Sequence, residues 1–371
     1  MTSDDAANLL ENAFALRGTV LSKDMIGIFG EGFPEILLHA TGAPVTCLHI
    51  LPQEDIVDAG HNVSQCIEPF VDHAVQRFLH RFACGCFNDL RAIIFCRDDT
   101  AALVAYQYAL ELRRLGLAPA TPKLVLWNLV HAPHAHEFNM RQLETLWQHL
   151  GSAPPTPDAL SRAFQDEVAR AQALEDLTEC LRATNAPVRA GTAMTWRVAG
   201  RWMAGGQHAD LLRAALAPAA QAPRAAPRLG LIGAAITHTA LYDMIDSYGA
   251  VICDMQPLVA AWPVDLPDHP TPDAILKAAA SDRDCQRLVP PDAYTDTLID
   301  RLLAAKCDAV ICQLHPHDDV FGWDVPHITR RLNDAGIALV NLGFVDPVPT
   351  DQSLAVLDTV LRTDLKQRGL V

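Results

Sequence analysis

Three cysteines stand where soft-metal chemistry is open to them. Cys66 lies in His-Asn-Val-Ser-Gln-Cys-Ile-Glu-Pro, a polar stretch ahead of a predicted helix. A thiol at a helix start is favoured as the thiolate. Cys96 closes the apolar run Ala-Ile-Ile-Phe-Cys, and Cys312 stands near the end of Ala-Val-Ile-Cys-Gln. Thiolate is the ligand that iron–sulfur clusters require. Spacing alone does not single these residues out. There is no CxxC, and a free cysteine is often a small buried hydrophobe. Cys84 and Cys86 form a Cys-Gly-Cys pair that suits metal binding or plain packing. Glu35 follows Pro34 at the expected first turn of a short helix, where the dipole favours a carboxylate. A helix-start role and a catalytic role both fit it.

Other chemistries lack their motifs. Histidines number 15, with His131, His134 and His136 in one group and His315 and His317 in another. Neither group has HExxH or zinc-finger spacing, so both read as loop histidines rather than zinc ligands. GxxxxGK[ST] is missing, as is GxGxxG after a strand; the chain is not expected to hydrolyse ATP by itself. Without a GxSxG elbow it is not an α/β-hydrolase either.

The elements that must position these residues are short and apolar. Met25–Phe29, Val45–Leu51, Ala92–Cys96 and Lys123–Leu129 read as buried strands in the first half. Leu229–Gly233, Val251–Met255, Ala309–Gln313 and Ala338–Leu342 do so in the second. Helical stretches lie between most of them, which predicts α/β architecture with parallel sheets. Between the halves the pattern is all helical. Thr156 and Pro157 make an N-cap and first-turn proline, and apolar residues then recur at helical spacing from Leu160 to Leu181. Further helices are expected over Thr192–Met203 and Ala209–Ala217, and Pro218–Pro227 reads as an Ala/Pro-rich linker. The expected organisation is an N-terminal lobe over 1–155, a helical section and linker over 156–225, and a C-terminal lobe over 226–371. Ligands of such sheets bind beyond the carboxyl ends of the strands, where Cys96 and Cys312 sit.

Composition narrows the class. The chain has 371 residues, enough for two domains, and half of them are hydrophobic. Its formal charge is −15, from 44 acidic and 29 basic residues. No Lys/Arg run could neutralise a phosphate backbone, so nucleic acid is not an expected partner. No segment has the roughly 20 successive apolar residues of a membrane span. The start of the chain is acidic and does not resemble a secretory signal. The expected location is the cytoplasm, where the ten cysteines would stay reduced.

In their joint order, several segments resemble one family. Phe33-Pro-Glu-Ile-Leu-Leu-His-Ala-Thr-Gly-Ala-Pro resembles the "P-E-x-[IL]-[IL]-x-A-x-G" element of 2-hydroxyacyl-CoA dehydratase and benzoyl-CoA reductase subunits. Ser64-x-Cys66 and Asp89-x-x-Ala-Ile-Ile-Phe-Cys96 resemble the segments of that family's first two cluster ligands. Leu174-x-x-Leu-x-x-Cys-Leu-Arg182 resembles its helical stretch, and Tyr242-x-x-Ile-x-x-x-Gly-Ala-Val-Ile252 a strand entry. Lys306-Cys-Asp-Ala-Val-Ile-Cys312, Val325-Pro-x-Ile and Ala335-Gly-Ile-Ala follow in the family's order.

The resemblance implies two Rossmann-like parallel-sheet lobes with an intervening helical section. It implies a [4Fe-4S] cluster on Cys66, Cys96 and Cys312, with the fourth iron open, and Glu35 and Ser64 beside the substrate. It implies an acyl-CoA substrate, a homologous second subunit or a homodimer, and a separate ATP-dependent iron–sulfur activator. The reaction implied is radical dehydration of a 2-hydroxyacyl-CoA, with benzoyl-CoA reductase-type chemistry or a non-catalytic partner role as alternatives. Electron addition to the thioester gives a ketyl that expels hydroxide and acidifies an otherwise unreactive β-hydrogen. The chain departs from the pattern at Ala309, where glycine is usual, and at Ser353-Leu354, where Thr-Arg is. Its third cysteine also comes early, which makes Cys285 a possible extra ligand.

Overall fold

A computed structural model describes residues 1–52, 60–97, 100–183, 188–216, 227–236, 238–257, 270–280, 290–316, 318, 321–346 and 349–370. Cys285, His317 and most of the expected linker lie outside the described residues.

The chain opens with α1 (Ser3–Ala15). The first lobe follows: β1 (Ile26–Phe29), α2 (Ile36–His39), β2 (Val45–Cys47), α3 (His61–Ser64), α4 (His73–Ala83), β3 (Ala92–Cys96), α5 (Thr100–Arg114), β4 (Lys123–Trp127) and α6 (His136–Leu150). The helical section is α7 (Pro157–Arg182), α8 (Ala190–Ala199) and α9 (Gly205–Ala215). The second lobe holds β5 (Arg228–Gly233), α10 (Thr239–Asp246), β6 (Ala250–Asp254), α11 (Pro272–Ala280), α12 (Pro291–Ala304), β7 (Ala309–Leu314), α13 (Phe321–Asp334), β8 (Ala338–Phe344) and α14 (Asp351–Gln367).

Both sheets are four-stranded and all parallel, in the orders β2-β1-β3-β4 and β6-β5-β7-β8. The expected architecture is therefore what the chain adopts. Each sheet is covered on both faces, which is why its strands are continuous apolar runs. Ile26, Ile28, Ala92 and Ile94 face one core cluster, and Phe29, Ile93 and Phe95 the opposite one. In the second sheet Leu229, Leu231 and Ile311 face one cluster, and Ile232, Val310 and Cys312 the other. Three expected strands are shorter than their apolar runs: β1 starts at Ile26, β2 stops at Cys47 and β4 stops at Trp127. Strand β2 pairs with Ile26–Ile28 of β1 over Val45–Cys47.

Thr156 caps α7 as expected, accepting from the Ala159 amide at 3.3 Å. The expected helix over Thr192–Met203 ends at Ala199 and tightens into a 3-10 turn at Gly200–Trp202. Packing units do not follow chain order. Helix α1 joins the helical section through Ala6 and Leu10, while α11 puts Ile275, Leu276 and Ala279 into the core of the first lobe. Among the described residues no helix is long and apolar enough to cross a membrane.

The lobes repeat a local motif. Ile26-Gly-Ile-Phe-Gly30 and Leu229-Gly-Leu-Ile-Gly233 cover the first strand of each, and both segments end in a glycine, at φ 103° and φ 107°. A Cβ on Gly233 would land on the Gln313 carbonyl oxygen. Gly233→Ala should therefore cost about 2–4 kcal/mol in urea unfolding. Gly343→Ala, at φ 73° with open space around it, should cost only about 1 kcal/mol. Equal losses would contradict the close approach at Gly233.

His208 is fully buried in the helical section, with Nε2 against the Trp196 carbonyl at 2.8 Å. Burial pushes its imidazole down to about 4. Between pH 6.5 and 4 the unfolded chain then binds a proton that the folded chain refuses, so stability falls as pH drops through that window. The expected loss is roughly 3 kcal/mol. Urea midpoints at pH 7 and pH 4.5 should converge in His208→Gln.

Candidate functional site

In this strand order each sheet reverses direction between its first and third strands, and ligands bind at such switch points. Gly30 directly follows β1 and Gly233 ends β5, so at both switch points the backbone carries no side chain.

The β1–β2 connection supplies Glu31 and Glu35. Glu35 occupies the N-cap position of α2, as the sequence suggests, and its side chain caps nothing. It is almost fully buried. Arg201, from the 3-10 turn of the helical section, donates to Glu35 Oε1 at 3.4 Å and lies 3.9 Å from Glu31 Oε2. Burial works against the guanidinium charge, but Glu35 and Glu31 outweigh it and hold Arg201 above its ordinary pKa. The turn is fixed twice more. Trp202 Nε1 donates to the Cys47 carbonyl at the end of β2 (3.1 Å), and Arg170, ion-paired to buried Glu167, reaches the Gly200 carbonyl. His39 faces the same network, and burial chiefly keeps it neutral despite Glu35.

A second cluster joins the lobes. Asp72 caps α4 through the Ala74 amide at 2.7 Å, and its Oδ2 lies 3.3 Å from His315 Nδ1, beyond the end of β7. Burial opposes the carboxylate, yet His315, His49 and the cap amides overcome it and hold Asp72 below its usual range. His49 stacks on Phe29 at the end of β1, 4.9 Å between ring centres.

The sequence-derived site residues fall as follows. Cys96 is the last residue of β3, paired with Trp127 and fully buried. Cys312 is also fully buried, but β7 continues two residues past it. The two cysteines occupy positions one residue apart in their lobes. Phe29 pairs with Phe95, and Ile232 with Cys312. Cys312 is thus the counterpart of Phe95, while Gln313, paired with Gly233, is the counterpart of Cys96. One residue in a strand reverses the face, so the two thiols enter non-equivalent clusters of their lobes. Burial, with Asp318 adding to it, pushes Cys312 up to about 12. Cys66 does not start a helix. It follows α3 and donates its amide to the Val63 carbonyl at 3.0 Å. Ser64 is exposed, with its hydroxyl on the Gly60 carbonyl.

Cys66, Cys96 and Cys312 have the donor chemistry of an iron–sulfur site. Among the described residues no three His, Cys, Asp or Glu side chains stand close enough together to hold a metal ion.

Two four-stranded, all-parallel sheets with helices around them define a two-lobed α/β protein. The model of the 2-hydroxyglutaryl-CoA dehydratase D-component family matches residues 32–352, and the chain belongs to that family. It is therefore a dehydratase-type component. No curated protein matches the chain.

Sequence reasoning missed Arg201, Asp72 and His49. The cue for Arg201 was the helix-breaking context Gly200-Arg-Trp-Met-Ala-Gly-Gly206, but its partner lies 166 residues away. Arg201→Gln should destabilise the chain by about 2 kcal/mol, because it strands Glu35 in a largely dry site. Adding Glu35→Gln should recover part of that loss. Additive losses in a double-mutant cycle would mean the pair is uncoupled.

Proposed function

We propose that the chain is the iron–sulfur subunit of a 2-hydroxyacyl-CoA dehydratase, in which one-electron reduction of the acyl-CoA thioester precedes loss of water. Cys66, Cys96 and Cys312 are the proposed ligands of a [4Fe-4S] cluster. A homologous subunit or second copy and a separate ATP-hydrolysing activator complete the proposed system, which works in the cytoplasm. The observation that carries this reading is the family match, which takes in Glu35, Ser64 and all three cysteines. The Asp72–His315 ion pair adds to it, because it ties the segment after Cys66 to the segment after Cys312.

In this reading Glu35 handles the proton. Arg201 holds Oε1, leaving Oε2 to exchange a proton with substrate. Burial of the pair excludes water from that exchange. Tight packing of Cys96 and Cys312 means that both thiols must leave their apolar contacts for a cluster to assemble. That packing favours a second reading, a partner subunit that keeps the fold and leaves the cluster to its homologue.

Iron and sulfide analysis of anaerobically purified chain separates the two. About four of each per chain is expected for the first reading, with loss of both in Cys66→Ser and Cys312→Ser. An iron-free chain that still supports turnover of the assembled complex would assign it the partner role. Glu35→Gln should lower turnover of the complex by about 10²–10⁴-fold; unchanged turnover would remove Glu35 from the chemistry.

A further inference from the structure

We propose that Cys253 and Cys307 form a redox-active dithiol inside the second lobe, which a hydroperoxide closes to a disulfide. Neither residue belongs to the site described above. Three local features bring the pair together.

The first is a bulge. The β5–β6 register runs Leu229 to Val251 and then jumps to Gly230 with Cys253, skipping Ile252. Alternation along β6 is broken there, and Ile252 and Cys253 both enter the same core cluster, which also contains Cys307. A bulge re-aims a side chain in just this way. The second feature is the end of α12. Its terminal turn closes with the Cys307 amide on the Leu302 carbonyl (3.3 Å) and the Lys306 amide on the Leu303 carbonyl (2.9 Å). Lys306 takes the left-handed position at φ 57°, where glycine is usual. The turn directs Cys307 over the sheet. The third feature is Gly230 itself. Cys307 Sγ lies 3.2 Å from the point where a Cβ on Gly230 would stand. Its missing side chain leaves the slot in which that sulfur meets Cys253, the residue paired with Gly230.

The two thiols are not equal. The Cys307 S–H donates to Cys253, and this, helped by Arg182 and Arg197, favours the Cys253 thiolate against burial. The same hydrogen bond, with burial, holds Cys307 protonated. Cys253 is therefore the nucleophile and Cys307 the resolving thiol. The Cys253 thiolate attacks the distal peroxide oxygen; the O–O bond breaks, and the leaving oxygen takes a proton as water or alcohol. The Cys307 sulfur then attacks the Cys253 sulfenic sulfur, its proton leaves with the departing hydroxyl as water, and the S–S bond forms. Overall, two thiols are oxidised by two electrons and one peroxide bond is reduced.

The test uses the full-length chain, reduced and then treated with hydrogen peroxide in its native state. Remaining thiols are blocked with N-ethylmaleimide, and the chain is digested without reduction. The expected result is a peptide pair linking residues 253 and 307, two hydrogens lighter than the sum of the free peptides and lost on dithiothreitol treatment. Cys307→Ser should abolish the link and leave Cys253 as a sulfenic acid that dimedone captures. Absence of the linked peptide while exposed Cys84 and Cys86 are oxidised would overturn the proposal. So would a link that forms only in denaturant.

Discussion

A parallel sheet has no face it can leave to water, and this chain has two of them. Each sheet needs a layer of helices on either side, and the arrangement of the molecule follows from supplying those layers. Most come from the helices that connect the strands. The rest are borrowed: α1 covers the helical section, α8 is buried along nearly its whole length between that section and the second lobe, and α11 crosses to the first lobe.

Borrowed layers also explain where charge is buried. The helical section approaches the end of β2 through a 3-10 turn, and that approach carries Arg201 into the connection after β1. A guanidinium in such a place needs carboxylates, and Glu31 and Glu35 supply them. Glu35 thereby gains a fixed position that the four-residue α2 could not give it alone. The contact between Asp72 and His315 plays a comparable part between the lobes, and its carboxylate also holds the first turn of α4.

Much of the architecture could be read from the sequence. Eight apolar runs became eight strands, and Thr156-Pro157 marked a helix start, because these signals are local. Glu35 was legible for the same reason. The partner of Glu35 was not, since no local rule ties residue 35 to residue 201. Cys96 ends its strand while Cys312 stands short of the end of its own, and the pairing with β1 and β5 fixes the offset at one position. Cys66 was misjudged through its helix: the run before it forms one short turn of helix, so the cysteine follows an end instead of preceding a start. The Cys253–Cys307 pair was invisible because it depends on a skipped residue in one strand and an empty slot in another.

Helix α11 has one more consequence. Its residues are encoded in the second half but are anchored in the first, by Ile275, Leu276 and Ala279, by Asp273 on His136, and by the Ala280 carbonyl on His131. The polypeptide therefore crosses between the halves more often than a simple two-module chain would. Severing it near residue 225 would strip the amino-terminal fragment of part of its own interior. The halves are interlaced, and relative motion between them must either carry this strap along or pull it out of an oily socket.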